Sequence, residues 1–266
     1  MWTRKTSDPL GKLLFEKYGM HMLSRPRENV SVFQVFAVKG GETALSGSMD
    51  SFLRSTLEKP EVAEGEAVLD IDTTTSDAIS GEVGVNFLQG FLGLLGASVV
   101  KSMSVAMEKS QTQALRFRFG KCTRDYVKDG FELEWKLSEH PFDKDNSAMK
   151  DDFRYYVATG VHFCKQLTFE ALNKSMGKID LSAEISALGG GKVGLAASSE
   201  RQVTATSKKT LAYGVELNEI VYDQKRKRLR LQESKDYVHT KAAAPAGLPK
   251  AVIVGPDDVM MLRIAD

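Results

Sequence analysis

The stretch KIDLSAEISALGGGKVGLAASS, residues 178–199, decides the fold class because it alternates apolar and polar residues on both sides of a glycine turn. Successive side chains of a β-strand point to opposite faces, so this period of two predicts an antiparallel hairpin with one apolar face. That face consists of small and medium side chains, which are Ile179, Leu181, Ala183, Ile185, Ala187, Val193, Leu195 and Ala197. The polar face of the first strand consists of Asp180, Ser182, Glu184 and Ser186.

A second alternating stretch covers residues 83–119 and changes its period midway. Its first part, GVNFLQGFLGLLG, carries apolar residues at helical spacing and predicts an amphipathic helix. From Val99 onward the period is two, which predicts a long strand with one apolar face. The apolar positions of this predicted strand include Met103, Val105, Met107, Leu115 and Phe117.

The remaining patterns predict one short helix and several more strands. Residues 8–19 fit a helix with Asp8 as its N-cap, Pro9 at its first position and Gly19 at its end. Strands are predicted at 30–39, 67–76, 131–137 and 208–223, and residues 151–172 predict a strand that runs into mixed structure. No repeat of fixed period accompanies them.

Composition narrows the class of protein. The 266 residues carry a net charge of +1, with 42% hydrophobic and 27% charged residues, as in ordinary globular proteins. We therefore expect no nucleic-acid partner, and one large domain or two small ones. Two cysteines, Cys122 and Cys164, are too few for a disulfide framework and favour a reducing cytosol. The N-terminal residues lack the apolar core of a signal peptide, and no apolar run is long enough for a transmembrane helix.

Catalytic and metal-binding motifs are sparse, so we expect neither an enzyme nor a cofactor. None of the four histidines lies in H-E-x-x-H, and LGGGKVG lacks the spacing of a phosphate-binding loop. The pair His162 and Cys164 shares a strand face, but two ligands do not hold a structural zinc. Asp70 and Asp72 could share a cation, although two carboxylates on a solvent face are the simpler interpretation.

A basic run lies close to the C-terminal end of the last long predicted strand. It contains Lys225, Arg226, Lys227, Arg228 and Arg230. Anionic lipid attracts such clusters at about 1 kcal/mol per cation, so the run is a candidate binding site for lipid headgroups. Cations also guard exposed strand edges, and the residues alone do not separate the two interpretations.

The C-terminal residues divide into a linker and a tail. Residues 241–250, rich in Ala, Pro and Gly, predict a flexible linker. A protease could cut it at Lys241, Leu248 or Lys250. The tail, residues 251–266, has a net charge of −2 and is too short to fold alone, so we expect it to dock on the rest of the chain. It could equally be an ordinary final strand. Its apolar residues include Val252, Ile253, Val254, Met260, Leu262 and Ile264.

Two interpretations of the alternating stretches remain open. In a sheet with one buried face this pattern is normal. Alternatively, the stretches leave the soluble fold and rebuild as membrane-spanning hairpins. Every backbone polar group must be paired in hydrocarbon, so many copies would then have to assemble side by side into a closed ring of strands.

Several segments, in their order, resemble the bacterial gasdermins. The start, DPLGKLLFEKYGMHMLSRPRENVSVFQVF, is similar to the opening of that family, including a turn at Leu23, Arg25, Pro26 and Arg27 before a strand. GVNFLQGFLGLLG with SVVKSMSVAM resembles the first membrane hairpin. YYVATGVHF, the glycine-rich hairpin and KKTLAYGVELNEIVYD resemble the second hairpin and its closing strand.

The resemblance implies an α+β fold, with a twisted and mainly antiparallel central sheet edged by short helices and a docked C-terminal inhibitory peptide. It implies a pore-forming domain at 1–240, a linker with a protease site at 241–250 and an autoinhibitory peptide at 251–266. No cysteine precedes Cys122, so the N-terminal acylation of many family members is not expected here.

The resemblance also implies a mode of action. A caspase-like or trypsin-like protease removes the peptide, and the cytoplasmic monomer becomes a homo-oligomer in the inner cell membrane. Each subunit inserts two hairpins among the membrane lipids, and the pore kills the cell as an anti-phage defence. The alternatives are a soluble lipid- or protein-binding module whose hairpins stay folded and, less favoured, an enzyme that uses the Asp70/Asp72 or His162/Cys164 pair.

Overall fold

The computed structural model describes residues 9–39, 42–73, 78–93, 95–109, 114–142, 153–172, 194–199, 201–233 and 261–262. Within these ranges the helices are α1 (Pro9–Tyr18), α2 (Met49–Leu53), α3 (Gly81–Gly93), α4 (Ala97–Lys109) and α5 (Gly130–Glu139). The strands are β1 (His21–Arg27), β2 (Gln34–Lys39), β3 (Glu42–Ser48), β4 (Val62–Ala67), β5 (Ile71–Asp72), β6 (Ile79–Ser80), β7 (Ala114–Gly120), β8 (Thr123–Val127), β9 (Arg154–Leu172), β10 (Leu195–Ala197), β11 (Gln202–Asp223), β12 (Arg228–Glu233) and β13 (Met261–Leu262).

Two long antiparallel strands, β9 and β11, organise the sheet. They have 19 and 22 residues and pair with each other along most of their length. The outer edge of β9 pairs in turn with β2, β8 and β7, and the outer edge of β11 pairs with β10, β1 and β12. All of these pairings are antiparallel, whereas β13 pairs in parallel with β1. The α+β prediction with a mainly antiparallel sheet is therefore confirmed.

The long strands give the sheet two ends. We call one the hairpin end, built from β5, β6, β7, β10, residues 166–172 of β9 and residues 202–206 of β11. We call the other the base end, built from β2, β3, β12, residues 154–157 of β9 and residues 217–223 of β11. Helices α3 and α4 contribute to the core of the hairpin end, and α2 and α5 to the core of the base end.

The prediction of a strand at 131–137 is wrong, because these residues lie in α5. Asp129 caps this helix, and its carboxylate accepts the backbone N–H groups of Phe131 and Glu132 at 2.9 and 3.1 Å. Leu133 and Leu137 lie one turn apart and are buried, whereas Phe131 is 84% exposed. The period of two thus places alternate apolar residues on two faces of a helix instead of one face of a strand.

The prediction of a strand from Val99 is also wrong for the structure described, because residues 97–109 form α4. Val99 and Met103 lie four positions apart and are both buried, which is the spacing of a helix face. Val105, in contrast, is 38% exposed. The predicted turn at residues 23–27 likewise lies within strand β1.

The other predicted helix and strand boundaries lie closer to the observed ones. Helix α1 confirms the helix predicted at 8–19, and β9 is one continuous strand where mixed structure was expected. The strand predicted at 30–39 begins at Gln34, and the one predicted at 208–223 begins at Gln202. The predicted strand 67–76 includes the end of β4 and the short β5, and its residues 74–76 lie outside the described ranges. Most of the hairpin predicted at 178–199 lies outside the described residues.

Candidate functional site

The hairpin end presents one apolar face built from residues in register on neighbouring strands. One row runs across five strands and consists of Ile71, Phe119, Leu167, Ala205 and Leu195. A second row, one pleat further along, consists of Phe117, Phe169 and Val203. Every one of these side chains is at least 97% buried. Residues in register on five neighbouring strands therefore produce a continuous hydrophobic surface.

The opposite face of the same strands is polar and held by ion pairs. Arg116 reaches Glu170 on β9 at 3.3 Å and Asp72 on β5 at 3.4 Å, and Arg118 reaches Asp72 at 2.8 Å. Further along the row, the hydroxyl groups of Thr168 and Thr204 lie 2.9 Å apart. The sheet at the hairpin end is thus two-faced, as a strand that separates lipid from water would be.

Helices α3 and α4 cover the apolar face. The Phe87 ring of α3 meets the rings of Phe117 and Phe119 edge-on, at centroid distances of 5.2 and 5.9 Å. Helix α4 adds Val99 and Met103 to the same hydrophobic cluster. Both helices belong to the connection between β6 and β7, so the cover of the face comes from the segment that joins two of its own strands.

Helix α3 also packs closely against β1. A Cβ atom at Gly90 would lie 2.8–3.0 Å from the ring and backbone atoms of Pro26, so only glycine permits this approach without a shift. Strand β1 in turn pairs with β13, where Met22 opposes Met261 and Leu23 opposes Leu262. A chain of direct contacts therefore connects the C-terminal tail, β1 and the helical cover.

The beginning of β1 carries a deeply buried titratable group. His21 is 2% exposed, and its ring lies 5.1 Å from that of Phe15. Burial lowers the pKa of His21 from its ordinary 6.5 to about 3, so the imidazole is neutral in the fold. The strand that receives the tail thus contains a side chain whose protonation opposes folding.

The structure distributes the predicted hairpin residues over several elements. Leu115 and Phe117 lie on the apolar face of β7, Met103 is buried in α4, and Met107 belongs to the same helix. Leu195 is buried in the short strand β10. Ile179, Leu181, Ile185 and Val193 lie outside the described residues.

The basic run lies at the base end, at the opposite end of β11 from the apolar face. Lys225, Arg226 and Lys227 are exposed in the turn between β11 and β12. The carboxylate of Asp223 accepts the backbone N–H groups of Lys225 and Arg226, which lowers the pKa of Asp223. Two further cations, Arg228 and Arg230, lie on β12, and Arg230 is 3.7 Å from Glu134.

The linker and most of the tail fall outside the described residues. This applies to Lys241, Leu248, Lys250, Val252, Ile253, Val254, Met260 and Ile264. Leu262 lies in β13, so the sheet includes two residues of the predicted tail.

The residues considered for metal or catalytic chemistry have structural partners. The Nε2 atom of His162 lies 2.7 Å from Glu216, which also accepts a hydrogen bond from Arg124 at 2.6 Å. Burial raises the pKa of the Glu216 carboxyl, but the hydrogen bonds from His162 and Arg124 outweigh it and leave the pKa lowered. Cys164 is wholly buried, which raises the pKa of its thiol.

The two aspartates do not form a shared cation site. Asp70 accepts the backbone N–H of Cys122 at 3.3 Å, while Asp72 pairs with arginines of β7. Among the residues that the structure describes, no group of three His, Cys, Asp or Glu side chains is placed to hold a metal ion.

Sequence reasoning missed three features of the site: the helical form of α4, the return of β10 onto β11, and the pairing of the tail with β1. Helix α5, which was predicted as a strand, did have a sequence signal, because its N-cap residue Asp129 stands immediately before it. Pairing with β1 had none, because strand partners distant in sequence leave no local pattern. None of the described helices has both the length and the apolar character needed to cross a membrane.

Comparisons with known proteins agree with this architecture. A solved structure, that of a bacterial gasdermin from Bradyrhizobium tropiciagri, matches with a TM-score of 0.59 at 19% identity and covers 88% of this chain and 93% of its own. The sheet and its helical cover therefore define a bacterial gasdermin fold. The family model described as the bacterial gasdermin family matches residues 23–228.

Sequence similarity points the same way. The curated gasdermin of Vitiosangium sp. is 27% identical over 222 residues, which cover 80% of this chain and 81% of the relative. The chain belongs to the bacterial gasdermin family, a family of pore-forming proteins.

Proposed function

We propose that this chain is an autoinhibited pore former, which proteolytic removal of the C-terminal tail activates. The observation that carries the proposal is the two-faced sheet at the hairpin end. Its buried apolar rows extend across neighbouring strands, and its cover is the connection between β6 and β7. If the cover leaves the face and rebuilds as strands, the face and its former cover both become lipid-facing surface.

Each subunit then contributes two hairpins. In the first, the segment between β6 and β7 extends, and Met103, Val105, Met107, Leu115 and Phe117 face lipid. In the second, β9 and β11 extend through the segment 173–201, with Ile179, Leu181, Ile185, Val193 and Leu195 facing lipid. The period of two in residues 99–107, which a helix does not use, supports the extended form of the first hairpin.

The tail inhibits through the sheet edge that it occupies. The pairing of β13 with β1 completes an edge of the sheet, and α3 rests on the same strand through the Gly90–Pro26 contact. Loss of the tail leaves the β1 edge unpaired and weakens the support of the cover. A cut within 241–250, at Lys241, Leu248 or Lys250, turns docking of the tail into a bimolecular event and lowers its effective concentration steeply.

The proposed activity implies an activating partner, a change of location and a consequence for the cell. A caspase-like or trypsin-like protease is the activating partner, and the protein passes from a cytoplasmic monomer to a homo-oligomer in the inner cell membrane. The exposed cations of the basic run attract anionic headgroups before insertion. Opening such pores kills the cell, which fits a defence against phage infection.

The proposal is tested by release of a dye from vesicles of bacterial lipid. Residues 242–249 are replaced by the recognition sequence of a site-specific protease, and the purified protein is added before and after cutting. We expect dye release only after cutting. Vesicles that stay sealed while the cut protein binds them would refute pore formation and favour a lipid-binding module instead.

A further inference from the structure

Strand β10 folds back onto the outer edge of β11 at the hairpin end. Leu195, Ala196 and Ala197 oppose Ala205, Thr204 and Val203, respectively. The chain reverses between the two strands, and at this reversal the backbone N–H of Ser198 donates to the Gln202 carbonyl oxygen at 3.0 Å. The Ser199 hydroxyl oxygen accepts the N–H groups of Arg201 and Gln202 at 3.3 and 3.1 Å.

The residue before β10 permits the close return. Gly194 has a φ of +76°, and a Cβ atom there would lie 2.6 Å from the carbonyl oxygen of Thr206. Its own carbonyl oxygen accepts the N–H of Thr206 at 2.8 Å. Both the left-handed conformation and the contact exclude a larger residue, so Gly194 is fitted to the folded-back form of β10.

The hairpin end has two outer edges. One is formed by β5 and β6 beyond β7, and the other is the edge of β11 that β10 covers. In a ring of identical subunits, one edge of each copy must pair with the opposite edge of the next. An edge strand left unpaired in hydrocarbon would expose backbone polar groups at a high cost in free energy.

We propose that β10 is a removable cap on an assembly edge, and that the β5–β6 edge of a second copy takes its place. This inference rests on the proposed pore-forming function. A second hairpin strand that continues from β11 needs residues 195–201 in line with it, whereas the cap needs them reversed. Departure of β10 therefore frees the edge and extends the hairpin in one movement, and the cap restrains assembly independently of the tail.

A disulfide that locks the cap tests this inference. Ala196→Cys with Thr204→Cys joins β10 to β11, and both positions lie outside the buried core. The matched control, Thr168→Cys with Thr204→Cys, joins β9 to β11, which are paired in this structure and stay paired in the proposed pore. Burial raises the pKa of the native Cys122 to about 11 and that of Cys164 as well, so an oxidant acts on the introduced pair.

After tail removal, we expect the oxidised Ala196/Thr204 variant to release at least tenfold less dye than its reduced form. The oxidised Thr168/Thr204 control should release as much as the unmodified protein. Equal release by both oxidised variants would overturn the inference. Absence of release from the cut, unmodified protein would instead overturn the proposed function, so the two failures are distinguishable.

A change in the opposite direction gives a second test. Gly194→Ala is incompatible with the folded-back form but acceptable in an extended strand, so we expect faster dye release after the cut. Slower or unchanged release would contradict a capping role for β10.

The occupant of the freed edge is tested by cross-linking between copies. Protein with Asp72→Cys is mixed with protein that carries Gln202→Cys, Thr204→Cys or Thr206→Cys, so that three registers are sampled. We expect a disulfide-linked dimer for at least one mixture, only after tail removal and only with vesicles. Active pores without cross-links in any mixture would exclude the β5–β6 edge as the occupant.

Discussion

The helices at the two ends of the sheet differ in how strongly their own sequences favour helix. At the base end, Asp129 caps α5, and Lys136 pairs with Glu132 one turn before it and with Glu58. At the hairpin end, α3 contains four glycines in 13 residues, and α4 contains three valines and three serines in 13. Each glycine inside a helix costs about 1 kcal/mol relative to alanine, and valine and serine are also weaker helix formers.

The difference indicates that packing, more than intrinsic preference, maintains the helical cover. Short helices draw most of their stability from the tertiary packing of an apolar face. The apolar residues of α3 and α4 have such a face beneath them only while they lie on β7, β9 and β11. Helices of this kind suit a segment that exchanges one structure for another, whereas α5 suits a segment that keeps its structure.

We expect the largest effect on dye release from a charge placed on the apolar face of the extended hairpin strand. Ala196 and Ala197 are both exposed in this structure, so lysine at either position should leave the fold intact. In an extended strand, Ala197 shares the apolar face with Val203, and Ala196 shares the polar face with Thr204. A lysine facing lipid costs about 2–4 kcal/mol per copy near the bilayer midplane.

We therefore expect Ala197→Lys to abolish dye release after tail removal and Ala196→Lys to retain it. The measurement is vesicle leakage, with vesicle binding recorded in parallel. Equal leakage from both variants would remove the distinction between the two faces.

The next effect concerns the attachment of the cover. Gly90→Ala places a methyl group against the backbone of Pro26, and overpacking of this kind costs about 1–3 kcal/mol. Gly93, near the end of the same helix, has open space around it, so Gly93→Ala should stabilise by up to about 1 kcal/mol. Urea unfolding of the uncut proteins measures both changes.

After tail removal, the Gly90 variant should release dye faster than the unmodified protein and the Gly93 variant more slowly. Changes of the same sign in the two rates would show that stability of the cover does not control insertion.

The same contrast explains how far the sequence predicted the fold. The sequence predicted most of β11 and the beginning of β9 as strands. Alternation marks only parts of them, because residues 160–164 of β9 and 211–215 of β11 are buried on both faces. It misassigned α4 and α5, since a period of two on a helix sends apolar residues to two faces, and Trp135 is 58% exposed as a result. For α5 the cap at Asp129 favours helix, whereas α4 packs against α3 and adds Val99 and Met103 to the hydrophobic cluster that α3 shares with the sheet.

The candidate site was predictable only in part. Leu115 and Phe117 followed from alternation and lie on the apolar face as expected. The basic run lies at the other end of β11 because it follows that strand directly in the chain, whereas the pairing of β7 with β9 joins strands distant in sequence and left no local pattern.

A third, pH-dependent effect arises at β1, between the tail and the cover. The pKa of His21 is about 3 in the fold and 6.5 in an unfolded chain, so below pH 6.5 the unfolded state binds more protons. The stability that neutral His21 contributes is therefore fully present above pH 6.5. It falls as the pH drops towards 3, by about 1.4 kcal/mol per pH unit.

His21→Met should remove this loss, so between pH 7.5 and pH 5 the variant should gain about 2 kcal/mol relative to the unmodified protein. Urea unfolding at the two pH values measures the gain. Met22→Leu, a similar-sized change on the same strand, should shift stability equally at both pH values. A parallel pH dependence for the His21 variant and the unmodified protein would show that His21 is not the source.

The smallest effect separates recruitment at the base end from insertion at the hairpin end. Lys225 is exposed in the basic turn, and an anionic membrane attracts a cation near its surface by about 1 kcal/mol. Lys225→Gln should weaken binding of the uncut protein to phosphatidylserine vesicles about fivefold at low salt. In the control, Lys128→Gln, the native ammonium already pairs with Glu61, so the loss should be smaller. High salt should remove the difference, because it screens exposed charges.

Since the turn lies away from the apolar face, dye release at saturating lipid should not change in either variant. Equal losses of binding for the two lysines would assign recruitment to overall charge instead of the basic turn.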